Sequence, residues 1–128
     1  MIMEINKFDS KVILIAIYLY LDSYFHEGLD ELGGFLGSLS PMIMMDGLPV
    51  DSALYEDWCE IINNKENLEK EEAYHYMFEF LKMQSGMGWS EIEQFIKNEN
   101  FQTSNKQISI QQLSRWNDAI NKALEYNL

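Results

Sequence analysis

The side chains best suited to reaction chemistry in this 128-residue chain are two histidines, His26 and His75, and one cysteine, Cys59. A zinc site needs three or four Cys, His or carboxylate ligands brought together, and its common signatures pair ligands at short fixed spacings. No such histidine pair exists here. His75 has Glu71, Glu72 and Glu79 within a helical turn of it. These would make at most a weak surface metal site, and a partly solvated histidine with ion pairing along the helix face is the reading that the spacing favours. His26, followed by Glu27 and Gly28, reads as a helix C-terminal residue favoured by the macrodipole. Cys59 lies beside Trp58, with Asp57 and Glu60 close by. Neighbouring carboxylates raise a thiol's pKa, the wrong direction for a nucleophile. One cysteine also excludes an internal disulfide and any multi-cysteine metal site, which fits a reducing compartment.

Other catalytic patterns are missing. No serine sits in a GxSxG elbow, and there is neither a P-loop nor a GxGxxG. Gly33-Gly-Phe-Leu-Gly37 has the look of a glycine loop, but no strand leads into it and no cation lies near enough to hold a phosphate. The carboxylate pairs Asp30/Glu31 and Glu56/Asp57 are adjacent in sequence, so on a helix they point in different directions. They do not make a general acid and base. The reading is therefore a non-enzyme with no cofactor and no metal.

Charge points to binding instead. There are 21 acidic and 9 basic residues, a formal charge of −12. Such a surface repels phosphate backbones and anionic lipid headgroups and attracts basic proteins, which argues against nucleic-acid or membrane partners. The charge is uneven as well. From Lys11 to Lys65 no Lys or Arg intervenes, while Asp22, Glu27, Asp30, Glu31, Asp46, Asp51, Glu56, Asp57 and Glu60 all fall in that stretch. A solubilising face and a docking surface for a basic partner both fit this pattern. A docking surface would steer association, with rates up to about 10⁸–10⁹ M⁻¹s⁻¹ in well-steered pairs.

The run Pro41-Met-Ile-Met-Met-Asp-Gly47 sets four flexible apolar residues in a loop. Methionine fills irregular core gaps, and it also suits an adaptable contact surface. With an acidic border, this loop would have the composition of an interface centre with a steering rim. The candidate partner-binding set is thus Asp30, Glu31, Met42, Met44, Met45, Asp46, Asp51, Glu56, Asp57 and Glu60.

Helices must position these groups. Asp9 or Ser10 can cap a first helix running to about His26, apolar on all sides over Val12–Leu21. A buried strand is the rival reading there, because periodicity does not separate the two in a short apolar run. Tyr18, Leu21, Tyr24 and Phe25 continue at helical spacing and favour the helix. A second helix is predicted over about Leu29–Leu39, with Gly33, Gly34 and Gly37 explained by close approach to a neighbour. Each glycine otherwise costs up to about 1 kcal/mol in a helix. Pro41–Val50 is a loop. Asp51 caps a third helix to about Asn63, with Leu54, Trp58, Ile61 and Ile62 on one side.

Asn67 is expected to open a fourth helix to about Gln84. Ser90 with Glu93, and Ser109 with Gln112, form capping boxes for a fifth and a sixth. No segment alternates as a strand should, beyond a short extended piece at Gln107–Ile110. The expected fold is all-α: about six helices in one bundle-like domain. Ten apolar residues are too few to span about 30 Å of hydrocarbon. Glu4 and Asp9 ahead of them, and no small-residue cleavage site after them, do not make a secretory signal. A cytoplasmic monomer is expected.

The two halves also resemble one another. Shifted by 60 positions, Leu21, Gly28, Glu31 and Phe35 fall on Leu81, Gly88, Glu91 and Phe95, and Trp58 and Ile62 fall near Trp116 and Ile120. Halves 9–64 and 67–126 would each read long helix, short helix, Trp-bearing helix. Chance agreement between two amphipathic hairpins is the alternative.

One resemblance adds to this. The stretch Tyr18-Leu-Tyr-Leu-Asp-Ser-Tyr-Phe25, then Asp30-Glu-Leu-Gly-Gly-Phe-Leu-Gly-Ser-Leu-Ser40, Asp46-Gly-Leu-Pro-Val-Asp-Ser-Ala53 and Asp57-Trp58 resembles small bacterial immunity proteins. These belong to polymorphic toxin systems, including contact-dependent growth inhibition. The resemblance covers about residues 9–62 and implies a cytosolic, helical, non-enzymatic protein that neutralises a cognate toxin by binding it. Many such toxins are basic nucleases, which an acidic surface would suit. Immunity proteins vary their contact surfaces on shared scaffolds, so no binding residue is carried over. A generic acidic adaptor for another basic protein is the alternative function, and an enzyme or metal protein built on His26 or His75 is the third.

Overall fold

The computed structural model describes residues 7–25, 32–39, 51–98 and 110–126, and the side chain of residue 98 is not among them. Six helices and one two-stranded antiparallel sheet make up these residues: β1 (Lys7–Asp9), α1 (Ser10–Phe25), α2 (Gly33–Leu39), α3 (Ser52–Ile61), β2 (Asn67–Glu69), α4 (Lys70–Gly86), α5 (Ser90–Asn98) and α6 (Ile110–Ala123). The fold is all-α, as its patterning predicts.

The apolar run resolves as helix. Val12 to Ile17 are six consecutive buried residues, so α1 lies at the centre and is covered on every side. Asp9 starts it by accepting a hydrogen bond from the Lys11 N–H (2.7 Å). Burying Ile and Val all round outweighs their modest helix propensity, because each apolar side chain removed from water contributes about 1.5–3 kcal/mol. α6 packs along α1, α5 along α4, and α3 against α4. Trp58, Trp116, Tyr20, Phe35, Phe80 and Phe95 are the largest fully buried side chains and form an aromatic centre between the helices.

The sheet corrects the sequence reading. Phe8 pairs with Leu68, flanked by Lys7 with Glu69 and Asp9 with Asn67. Asn67 therefore belongs to a strand, and α4 begins at Lys70, with the Glu69 N–H donating to the Glu72 carboxylate (3.2 Å). Three residues per strand provide a single alternation each, exposed at both ends and covered in the middle. That is too short for a period of two to register.

Two of the three glycines singled out in α2 have a packing reason. A Cβ on Gly33 would lie 3.3 Å from the Phe25 ring, and one on Gly34 would lie 3.2 Å from the Glu91 carboxylate. That carboxylate accepts the Phe35 N–H (3.2 Å), so α5 satisfies the start of α2. Gly37 meets nothing within 4 Å, and the close-approach argument does not hold there.

Candidate functional site

The described part of the acidic region centres on α3. Its inward positions, Leu54, Trp58 and the following Ile62, are buried at i, i+4 and i+8. The opposite positions, Ser52, Glu56 and Glu60, are exposed at the same spacing. Asp51 begins the helix from an exposed position and accepts the Ala53 N–H (3.0 Å), as its type and place predict. An outward stripe of acid on an inward stripe of apolar residues follows from the 3.6-residue period.

Two features of this stripe run against the helix's own stability. Glu56 and Glu60 are like charges at i, i+4, which costs an isolated helix about 0.2–0.5 kcal/mol. Glu60 also lies in the last turn, where the macrodipole favours a cation, and that turn carries no basic residue. Of the described ion pairs, Lys65–Glu72 (2.9 Å) and Lys97–Glu93 (3.2 Å) both lie elsewhere.

Asp57 has a different environment. It is half-buried and accepts a hydrogen bond from the amide nitrogen of Gln84 (2.8 Å), a side chain only 1% exposed. This bond ties α3 to α4 and gives a buried polar group its partner. The six remaining members of the candidate set, Asp30, Glu31, Met42, Met44, Met45 and Asp46, lie outside the described residues, as do His26 and the whole loop 41–47. The structure thus brings Asp51, Glu56 and Glu60 to solvent and commits Asp57 inward.

The groups that suggested chemistry are dispersed. His75 is exposed on α4 beside the Tyr74 ring, and Glu72 is engaged by Lys65. That contact, first, and then the Glu69 N–H hold the Glu72 carboxyl below the usual carboxylate range. Among the described residues no group of three or more His, Cys, Asp or Glu could hold a metal ion. Cys59 is half-buried at a pocket of about 500 Å³ shared with Tyr55, Asp9, Lys11 and Lys65. Burial and then the Cys59 contact push the Tyr55 phenol upward.

A feature unmarked in the sequence is a groove of about 770 Å³ between α1 and α6, bordered by Leu19, Asp22, Ile110, Asp118 and Lys122. In its wall Arg115 donates to the Ser23 hydroxyl (2.9 Å) and lies 4.0 Å from the Tyr24 ring centroid. Sequence spacing could not bring residues about ninety positions apart to one wall. No described helix is long and apolar enough to cross a membrane. Compared with known protein families, with curated proteins and with solved structures, the chain matches none.

Proposed function

We propose that this protein binds and neutralises a basic protein toxin, docking it on the acidic outward face of α3 and acting without catalysis. The observation that carries the reading is the exposed stripe of Glu56 and Glu60 capped by exposed Asp51, in a stretch without Lys or Arg from Lys11 to Lys65. Like charges along one helix face weaken the free helix, and a cationic partner relieves exactly the repulsion they create. The resemblance to immunity proteins of polymorphic toxin systems supports a toxin as that basic partner, with nucleases among the candidates. Cytoplasmic action as a monomer belongs to the same proposal.

Growth rescue tests it. The reading frame encoded beside this one is induced in a neutral bacterial host, with and without the present chain. Toxicity that this chain relieves, with recovery of the two proteins as a complex, is the expected result. A harmless neighbour, or toxicity left unrelieved, removes the immunity reading and leaves the acidic adaptor in its place.

A further inference from the structure

Four contacts recur in this molecule with their residue numbers shifted by a nearly constant amount. The Trp58 indole N–H donates to the Ser10 carbonyl (3.1 Å), and the Trp116 indole N–H donates to the Lys70 carbonyl (3.0 Å). Ser10 and Lys70 are each the first residue of a long helix. The ring of Tyr20 meets that of Trp116 edge-on at 5.7 Å and 87°, and the ring of Phe80 meets that of Trp58 at 5.7 Å and 80°. Adding 60 along the long helices and 58 along the Trp-bearing helices converts one member of each pair into the other.

The sheet obeys the same rule. A shift of 60 carries Phe8 onto its own partner Leu68, and exchanges the pair Lys7–Glu69 with the pair Asp9–Asn67. Any three-rung antiparallel ladder maps onto itself about its central pair, but the shift that does so here, 60, is the one that relates the two long helices.

The fourth correspondence keeps the position and changes the chemistry. Tyr24 meets Arg115 through its ring face, while the residues at the shifted positions, Gln84 and Asp57, meet through a hydrogen bond of 2.8 Å. The Tyr20–Trp116, Phe80–Trp58, Tyr24–Arg115 and Gln84–Asp57 contacts all join one half of the chain to the other. Residue i of the first half touches j of the second, and the equivalent of i touches the equivalent of j. That reciprocity defines an isologous interface.

We infer that the chain is a fused pseudo-dimer, two copies of one unit of strand and three helices, in which the surface of each half is built to receive a second copy of that unit. The turn 62–66 is then a tether between copies. The Tyr24–Arg115 and Gln84–Asp57 pairs are two solutions to one symmetric contact. This inference is independent of the function proposed above.

A double-mutant cycle tests it in the full chain. Tyr24→Gln and Arg115→Asp together copy the Gln84–Asp57 pair into the twin position. If the two positions share one geometry, Tyr24→Gln destabilises the wild type but stabilises the Arg115→Asp variant, by about five-fold in the folding equilibrium constant, a reversal that loss of the original contact alone does not give. A double variant no more stable than Arg115→Asp alone overturns the twofold.

A circular permutant provides the second measurement. The chain is opened between Asn64 and Lys65 and Leu128 is joined to Met1, with every residue retained. The tether then runs from Tyr126, which packs near Tyr18 and Asp22, through eight residues to Lys7, a reach of up to about 28 Å. Cooperative unfolding of this permutant, with both buried indole N–H groups protected from exchange, is the expected result. If it does not fold, the cycle decides, and a double variant no more stable than Arg115→Asp alone overturns the inference whatever the permutant does.

Discussion

Tyr20 concentrates the energetics of the core in one side chain. It is fully buried, its hydroxyl lies 3.2 Å from that of Tyr74 and 3.4 Å from that of Tyr24, and the Trp116 ring closes over it. Burial, first, and then the neighbouring hydroxyls hold its phenol far above the ordinary value. The folded chain thus keeps a proton that the unfolded chain gives up near pH 10. Stability from this group is complete below that pH and falls as pH rises above it, by about 1.4 kcal/mol per unit. Urea unfolding measured between pH 9 and 11 should show this slope. Tyr20→Phe should lose about 1–2 kcal/mol at neutral pH and flatten the alkaline slope by one group. An unchanged slope would mean that Tyr20 is not the group responsible.

Asp57 and Gln84 make a second residue-scale prediction. Asp57→Ala strands a buried amide, so it should cost about 1–3 kcal/mol, while Asp57→Asn keeps an acceptor and should cost less. Urea midpoints of the two variants separate these outcomes. Equal, negligible losses would show that the 2.8 Å bond contributes nothing to the fold.

At the scale of elements, α3 carries its acid against its own interest. Glu60→Lys replaces a like-charge i, i+4 pair with the favourable Glu-to-Lys order and puts a cation at the helix C-terminus. It should therefore raise stability by about 0.5–1 kcal/mol. A midpoint lowered by this substitution would mean that Glu60 has a stabilising partner. A helix that gains stability on losing a charge fits a residue kept for binding.

The helices were legible where a long stripe or a chemically specific cap marked them. α3 announced itself through Asp51 and through Leu54, Trp58 and Ile62. α1 was decided by Tyr18, Leu21, Tyr24 and Phe25 continuing past the ambiguous apolar run. The strands were not legible, because three residues with one covered side chain have no period, and pairing Phe8 with Leu68 requires two segments 60 positions apart. A separation of 27 positions from its partner Gln84 likewise hid the inward turn of Asp57. Its neighbour Gln84 looked like the polar end of a helix, yet it is buried beside Asp57.

On the scale of the whole molecule, the charge of −12 is distributed on a frame whose halves repeat their contacts. The positions equivalent to Glu56 and Glu60 on α3 are Ser114 and Asp118 on α6. The molecule therefore holds a control, the corresponding exposed helix positions with less acid, although α6 packs more extensively on α1 than α3 does on α4. Long-range steering sums over all charges and decays within about 8 Å at physiological salt. Only charges close to the docked partner change its association rate strongly.

The most direct measurement is the association rate of the protein with its toxin partner, followed by stopped flow from low to physiological salt. It compares the wild type, the double variant Glu56→Lys/Glu60→Lys and the control Ser114→Lys/Asp118→Lys. Docking on α3 predicts that the first variant associates about ten-fold or more slowly at low salt, with a flattened salt dependence, and that at physiological salt, where screening makes the effect local, the control stays closer to wild type. Equal rates for wild type and the α3 variant, or a larger loss in the control, would contradict docking on the acidic face of α3.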